Sequence, residues 1–264
     1  MVVKWDDDDD VGEESILGLC LVGKVWTVRR LNANAFMSTM EKIWNPNHGM
    51  EAKEIDTSLF LFQFYHWKDQ ERVLEGEPWA FDKNVVVLRQ IAKGIQPSQM
   101  ADLLTHARFL VRIYDPLLDG RKDKNIQALA NSLGAFIKID DQCIKGWTKS
   151  LRFKTPMDLH EPFLDELSLE HSDGRTISLP VKYEKLSNFC YFCGRVGHVE
   201  KDCMDKDDQE DDGVVFNCGE YLRASPWKVP RQNRTEGNNT QKLTARKLVF
   251  RPKKPEKKPR GRPS

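Results

Sequence analysis

The sequence predicts an α+β protein, with a sheet domain, a small metal-binding module and charged segments at both ends. Three observations support this prediction. β-prone and helix-like runs alternate up to residue 186, a cluster of cysteine and histidine follows, and strings of acidic or basic residues occupy the two ends. With 39% hydrophobic and 31% charged residues in 264, the chain can form compact cores but must also carry solvated segments.

The first block, residues 15–98, predicts the order β-α-β-β-α-β. Its β-branched and aromatic runs, which favour extended chain, lie at residues 15–26, 51–55, 58–66 and 84–91. Apolar residues at helical spacing predict helices over 35–44 and 67–74. Asn32 or Asn34 can cap the first helix, which stops before Pro46, and Gly76 and Pro78 end the second.

This order is the split βαβ or ferredoxin-like pattern, an antiparallel sheet with two helices on one face, which RNA-recognition modules share. Such modules stack bases on an aromatic strand that also carries glycines and a leading basic residue. The run from Leu59 to Tyr65 has neither the glycines nor the basic residue. Its aromatic side chains are therefore expected in the core rather than on a nucleic-acid surface.

A second block, residues 99–186, predicts an αβ extension of the first. Strands are expected at 109–114, 135–139, 151–155 and 177–183, and a helix at 123–133 ends at Gly134. The first two strands and the helix are expected to form a βαβ-like unit. A turn at Asp173-Gly174 precedes the last strand.

The charges are unevenly distributed, although the formal net charge is only +1. Residues 1–14 hold seven acidic residues against one lysine, and residues 205–212 hold six against one. From Leu222 to Ser264, fourteen Lys or Arg face two Glu. We predict that 1–14 and 205–264 are disordered, and that the basic end binds polyanions such as nucleic acid.

No apolar run approaches the ~20 residues that a transmembrane helix needs, and the first ten residues are acidic where a secretory signal would be basic and then apolar. A soluble, intracellular protein is expected, whose six cysteines stay reduced. Cys20 and Cys143 stand alone among apolar residues and are expected to be small buried hydrophobes.

The most specific signal is a Cys-x2-Cys-x4-His-x4-Cys motif in residues 187–204, formed by Cys190, Cys193, His198 and Cys203. Such spacing predicts a zinc site, and four protein ligands leave no position for a substrate water. One structural Zn²⁺ is therefore expected. Gly194 and Gly197 lie where the loop must turn tightly around the ion. Because so short a module has almost no hydrophobic core, zinc is expected to supply its folding free energy.

The run CYFCGRVGHVEKDC resembles the zinc knuckle of retroviral and retrotransposon nucleocapsid proteins. In that family an aromatic residue and an apolar residue form a platform on which an unpaired base stacks, beside basic residues. The resemblance implies this role for Tyr191, Val199, Arg195 and Lys201.

Residues 15–204 resemble plant retrotransposon-derived proteins in which a domain of unknown function, number 4283, precedes such a knuckle. The runs EGEPWAFD and KYEKLSNFCYFCG carry most of this resemblance, and Glu220 to Ala224 resembles a segment that follows the knuckle there. The resemblance implies binding rather than catalysis. The sequence also lacks a phosphate-binding or dinucleotide motif, and its remaining histidines show no metal or triad spacing, so no enzyme and no small-molecule substrate are predicted.

The run Pro259-Arg260-Gly261-Arg262-Pro263 resembles the core of an AT-hook. The resemblance implies that Arg260, Gly261, Arg262 and Pro263 lie in the minor groove of A·T-rich DNA, where narrow-groove potential attracts arginine. The alternative is a basic nuclear-localisation or general polyanion segment. A nuclear location is expected, with the cytoplasm as a second one.

These observations predict a zinc-dependent, nucleocapsid-like protein that binds single-stranded RNA or DNA through the knuckle, while the basic tail adds electrostatic affinity. The alternative is a protein-interaction adaptor whose knuckle is structural and whose tail serves nuclear localisation. RNA and DNA both stay candidates, and no oligomeric state is predicted.

Overall fold

The computed structural model describes residues 17–91, 94–95, 97–118, 120–140, 143, 148–171, 173–206 and 218–225. The acidic segment 1–14 and most of 205–264, both predicted to be disordered, lie outside the described residues. Within the described ranges, no helix combines the length and the apolar character needed to cross a membrane.

The described chain forms an α+β structure with two antiparallel sheets. The strands are β1 (Cys20–Val25), β2 (Met50–Asp56), β3 (Leu59–Phe64), β4 (Trp79–Phe81), β5 (Asn84–Gln90), β6 (His106–Tyr114), β7 (Lys138–Ile139), β8 (Ser150–Asp158), β9 (Glu166–Glu170) and β10 (Thr176–Tyr183). The helices are α1 (Ala33–Trp44), α2 (Trp67–Glu75), α3 (Pro97–Leu103) and α4 (Asp123–Asn131), with short 3₁₀ turns at Glu200–Asp202 and Glu220–Leu222.

The first sheet has the strand order β2-β3-β1-β5-β4. Helix α1 begins at Asn32, whose side-chain oxygen accepts a hydrogen bond from the Ala35 amide at 3.1 Å, so Asn32 rather than Asn34 is the cap. Helices α1 and α2 contribute to one core with the aromatic strand. Its buried members from these elements are Phe36, Met40, Trp44, Phe60, Phe62, Phe64 and Val73. The prediction that the aromatic side chains of this run lie in the core is confirmed for Phe60, Phe62 and Phe64 and is wrong for Tyr65, which follows β3 and is 49% exposed.

Strands β1 and β5 are buried on both faces. Leu21 and Val86 join the helix-facing core, whereas Val22 and Val87 point to the opposite face, because successive side chains of a strand alternate. All four side chains are at most 1% exposed. The centre of this sheet therefore has no open face on which a base could stack.

The second sheet has the order β7-β8-β6-β10-β9. Strands β6 and β8 pair along their whole length, from His106 opposite Asp158 to Tyr114 opposite Ser150. The expected βαβ-like unit forms in a different way: β8 lies between β6 and β7, so these two strands are not neighbours. Cys143, which follows α4 in the sequence, is 0% exposed, and Cys20 is 3% exposed. The prediction that both are small buried hydrophobes is confirmed.

A buried ionic cluster connects the strands of the second sheet. The Glu184 carboxylate accepts hydrogen bonds from Arg112 Nε at 2.5 Å and from Arg152 Nε at 2.7 Å. Arg152 also pairs with Asp140 at 2.8 Å. Glu184 directly follows β10, and the chain continues from it into the knuckle, so this cluster fixes the position at which the metal-binding segment starts.

Candidate metal centre

The structure brings the four predicted zinc ligands together. The thiol sulfurs of Cys190, Cys193 and Cys203 and a ring nitrogen of His198 lie within 4.8 Å of one another. Cys193 Sγ and His198 Nε2 are 3.3 Å apart. In a zinc tetrahedron with bonds of about 2.3 Å to sulfur and 2.0 Å to nitrogen, neighbouring donors are roughly 3.5 to 3.8 Å apart. The donor set and its spacing therefore fit one Zn²⁺ ion.

Two backbone hydrogen bonds shape the loop that carries the first two cysteines. The Gly194 amide donates to the Cys190 carbonyl and the Cys190 amide donates to the Arg195 carbonyl, both at 2.8 Å. Gly194 has φ of +77°, a left-handed conformation that glycine adopts without steric cost. The turn from Glu200 to Asp202 then brings Cys203 back to the other ligands.

Burial around the thiols disfavours a thiolate that has no cation beside it. Burial raises the pKa of Cys190 and of Cys193 above the usual range of a thiol. Zinc binds the thiolate, so it must displace these protons and supplies the positive charge that a buried thiolate lacks. When bound, the ion would be held by all four ligands and would tie the two halves of the loop together.

The knuckle packs against both sheets, which the sequence analysis did not anticipate. The Val28 amide, in the loop after β1, donates to the Gly197 carbonyl at 3.3 Å, and Arg29 pairs with Asp202 at 2.8 Å. From the loop between β8 and β9 of the second sheet, the Phe163 amide donates to the Gly194 carbonyl at 3.0 Å. The expectation that the module lacks a hydrophobic core is wrong for the folded chain: Phe189 and Val196 of the knuckle are each 2% exposed. Zinc is thus one of several contributions that hold this segment in place.

The structure separates the residues that the nucleocapsid resemblance grouped together. Tyr191 and Val199 line one groove, whose other walls come from the β4–β5 turn, from the segment between β10 and Cys190, and from Glu220 and Arg223. Lys201 is exposed, and Arg195 forms an ion pair with Asp205 at 2.5 Å and does not line that groove. The tail residues with a predicted DNA contact, Arg260, Gly261, Arg262 and Pro263, lie outside the described residues.

Tyr191 is held in place from several sides. Its amide donates to Glu200 Oε1 at 2.8 Å, and its hydroxyl donates to Glu220. Its ring lies 5.0 Å from that of Phe189, and its carbonyl accepts from the Cys218 amide at 3.0 Å. A partly exposed aromatic ring with a fixed orientation is the feature that a stacking platform requires.

Residues 218–225, after the knuckle, form a structural brace against the rest of the chain, so the prediction that all of 205–264 is disordered is wrong for this segment. Leu222 is fully buried, and the Ala224 amide donates to the Tyr183 carbonyl at 2.9 Å. Arg223 donates to the carbonyls of Leu186 and Ser187, both at 3.1 Å. This brace closes one side of the groove that contains Tyr191.

The groove also contains basic residues from outside the knuckle that sequence reasoning missed. Lys83, in the turn between β4 and β5, and Lys185, just after β10, both line it. Neither residue lies in a basic run, and the run KYEKLSNFCYFCG, which contains Lys185, gave no indication of a binding role for it. Only the folded arrangement brings them beside Tyr191.

The remaining histidines make local contacts. His48 and His160 lie beside the carboxylates of Asp69 and Asp158, at 2.9 and 3.1 Å. Among the described residues, the four-ligand cluster is the single group of three or more potential ligands that lies close enough to hold a metal.

Comparisons with known proteins agree with this arrangement. Residues 13–99 match the family described as Domain of unknown function (DUF4283), and residues 157–205 match the family described as Zinc knuckle. The chain therefore carries a DUF4283 domain followed by a zinc knuckle. The matched knuckle region begins at the end of β8 and includes β9 and β10, so it is larger than the four-ligand loop. No match to a curated protein is found.

Proposed function

We propose that this chain is a zinc-dependent nucleic-acid-binding protein whose knuckle contacts unpaired bases of single-stranded RNA or DNA. The observation that carries the proposal is the position of Tyr191 and Val199, which line one groove beside the four-ligand cluster. The bound ion would fix the loop on which both residues lie, because Cys190 and His198 each directly precede one of them. In this proposal the ion has a structural role, since four protein ligands leave it no open position for a substrate.

The expected affinity of the knuckle alone is modest. A base stacked on an aromatic side chain contributes about 1 to 3 kcal/mol. Lys201 is exposed beside the turn that ends at Cys203 and can reach a phosphate. Arg195 can do so only if it exchanges Asp205 for the phosphate, which costs little because that ion pair is largely exposed.

The basic tail supplies the remaining affinity in this proposal. From Leu222 to Ser264 it holds fourteen Lys or Arg against two Glu. We propose that Arg260, Gly261, Arg262 and Pro263 enter the minor groove of A·T-rich duplex DNA, while neighbouring lysines contact phosphates. Such a protein would act mainly in the nucleus.

We also propose a ferredoxin-like topology for the first sheet and descent from the nucleic-acid-binding part of a plant retrotransposon. The topology is supported by the order β2-β3-β1-β5 with antiparallel neighbours, and by α1 and α2 sharing one core. The descent is supported by the order of the two matched families along the chain.

One observation favours a second function. The knuckle is packed against Val28 of the first block and Phe163 of the second. A metal site in this position could serve to join the two blocks, and the chain would then be a protein-interaction adaptor. Capture of partner proteins from an extract treated with nuclease, undiminished relative to the untreated extract, would favour the adaptor.

The test of the proposed function is a binding titration with the full zinc-loaded chain and labelled 12-nucleotide single strands of RNA and DNA. Cys203→Ser removes a ligand, and Cys218→Ser removes a nearby thiol outside the ligand set. We expect affinity to fall at least roughly tenfold in Cys203→Ser and to stay near wild type in Cys218→Ser. Equal affinity of Cys203→Ser and wild type, with zinc absent from the variant, would overturn the proposal.

A further inference from the structure

A groove of about 590 Å³ lies where the knuckle meets the first sheet. Its walls come from three parts of the chain: the β4–β5 turn, the segment between β10 and the first cysteine, and the knuckle with its brace. The knuckle thus contributes only part of the surface. The other parts determine which ligand can fill the groove.

The β4–β5 turn is attached to the groove by a backbone hydrogen bond. The Asn188 amide donates to the Lys83 carbonyl at 2.8 Å. Asp82 and Lys83 have φ of 46° and 61°, as the two central residues of a tight hairpin turn do, and Asn84 donates to the Asp82 carbonyl at 2.9 Å. Lys83 is therefore placed at the groove by a defined turn.

The lysines at the groove are available for an anion. In the described part of the chain, neither Lys83 nor Lys185 forms an ion pair with a carboxylate. Lys185 lies over the Trp79 ring at 5.5 Å and donates to the Gly76 carbonyl at 3.3 Å. Both partners lie outside the groove lining and neither is a carboxylate, so the Lys185 ammonium must leave the Gly76 carbonyl to meet a phosphate in the groove.

The carboxylates at the groove already have partners. Glu200 accepts the Tyr191 amide, and Glu220 accepts both the Tyr191 hydroxyl and Arg223. Hydrogen bonds from Arg223 and from Tyr191 lower the pKa of Glu220, so it stays ionised as the partner of Arg223. With Glu220 paired to Arg223, the groove keeps the two positive charges of its lysines against the one negative charge of Glu200, so its remaining formal charge is +1.

We propose that this groove binds one nucleotide of a single strand, with its base against Tyr191 and Val199 and its phosphate held by Lys83 and Lys185. The side chain of Asn188, which is partly exposed and lines the groove, would offer a donor and an acceptor to the edge of the base. This inference rests on the proposed function and extends it. The first sheet supplies ligand-binding residues, and the knuckle excised from the chain would lack half of its site.

The test compares two double variants of the full zinc-loaded chain that change net charge equally. Lys83→Gln with Lys185→Gln removes the groove lysines, and Lys53→Gln with Lys138→Gln removes two exposed lysines elsewhere. All four positions are exposed, so neither variant should alter folding, which urea unfolding verifies. Each protein is titrated with 8-nucleotide RNA and DNA of the same sequence over a range of salt.

For the groove variant we expect a loss of affinity of roughly tenfold and a slope of log affinity against log salt that is smaller by about 1, whereas the control variant changes little. A loss of affinity for RNA alone would show that the groove recognises ribonucleotides. An equal loss for RNA and DNA would show that it recognises the base and the phosphate, which both strands have. If the two variants bind alike while Cys203→Ser has lost binding, the groove inference is overturned and the proposed function stands. If the wild-type chain binds neither RNA nor DNA, the groove inference and the proposed function are both overturned.

Discussion

Gly197 of the knuckle lies directly against the indole of Trp26, in the loop that follows β1. A Cβ built on Gly197 would be 2.6 Å from Trp26 Cδ1, and the residue has φ of +95°. Glycine at this position, adjacent to the histidine ligand, thus allows the metal-binding loop to approach the first sheet. Packing as well as metal coordination therefore requires this glycine.

Gly197→Ala should destabilise the zinc-loaded chain by about 2 to 4 kcal/mol, because it adds a steric clash to the cost of a left-handed alanine. Gly174→Ala is the matched control, since Gly174 has φ of +82° but no atom within 4 Å of the added Cβ. It should cost about 1 kcal/mol. Urea unfolding measures both, and equal losses would show that Trp26 does not restrict this position.

Metal removal should act on a limited part of the chain. With zinc chelated, hydrogen exchange should rise in residues 188–203 and in the Trp26 loop, because the ion holds the loop that contacts it. Strand β3, in the core of the first sheet, should keep its protection. Mass spectrometry of exchanged peptides checks this. Uniform loss of protection throughout both sheets would contradict it.

The ionic cluster after β10 should be important for stability. Glu184→Gln leaves Arg112 and Arg152 without their shared carboxylate, and breaking such a buried pair costs about 3 to 5 kcal/mol. Burial raises the pKa of Glu184, but hydrogen bonds from both arginines outweigh this effect and lower it. Glu170→Gln, on the exposed edge strand β9, should change stability by less than about 0.5 kcal/mol. Denaturant midpoints compare the two, and similar midpoints would refute the role of the cluster.

A buried carboxyl should make stability fall as pH rises from mildly acidic to neutral values. Burial raises the pKa of Glu77 from 4.5 to about 7, although Arg108, Lys154 and Arg89 oppose this shift. The folded chain then holds a proton that the unfolded chain releases between pH 4.5 and 7, so stability is lost across that window as pH rises.

Replacement of Glu77 by Gln removes this titration. The free energy of unfolding of Glu77→Gln, relative to that of wild type, should increase by about 2 to 3 kcal/mol between pH 5 and pH 7.5. Every other titratable group is present in both proteins, so its contribution cancels in this difference. Unfolding free energies of the two zinc-saturated proteins, measured across that range, give the difference. A difference that stays constant with pH would exclude Glu77 as its source.

Local patterns were enough to predict much of the first sheet and the metal ligands. The aromatic spacing of Phe60, Phe62 and Phe64 predicted a buried strand, and the two candidate caps, Asn32 and Asn34, predicted where α1 starts. Ligand spacing predicted which side chains meet in the metal cluster. In each of these cases the determining residues are close together in sequence.

Short or edge elements and long-range contacts were missed. Strand β4 has only three residues, and β9, an edge strand of sequence ELSLE, buries too little for its alternation to be distinctive. The pairing of Arg195 with Asp205, the packing of Gly197 on Trp26 and the approach of Lys83 to the knuckle all depend on how folded elements meet. The spacing of residues along the chain does not predict these contacts.

The most direct test of the central claim is crosslinking of the zinc-loaded full chain to single-stranded RNA that carries a photoreactive uridine. Trypsin cuts after Lys185 and Arg195, so the peptide LSNFCYFCGR contains both Asn188 and Tyr191. We predict a crosslink in this peptide that is lost in Cys203→Ser. Crosslinks confined to other peptides, or an equal yield from Cys203→Ser, would contradict the account.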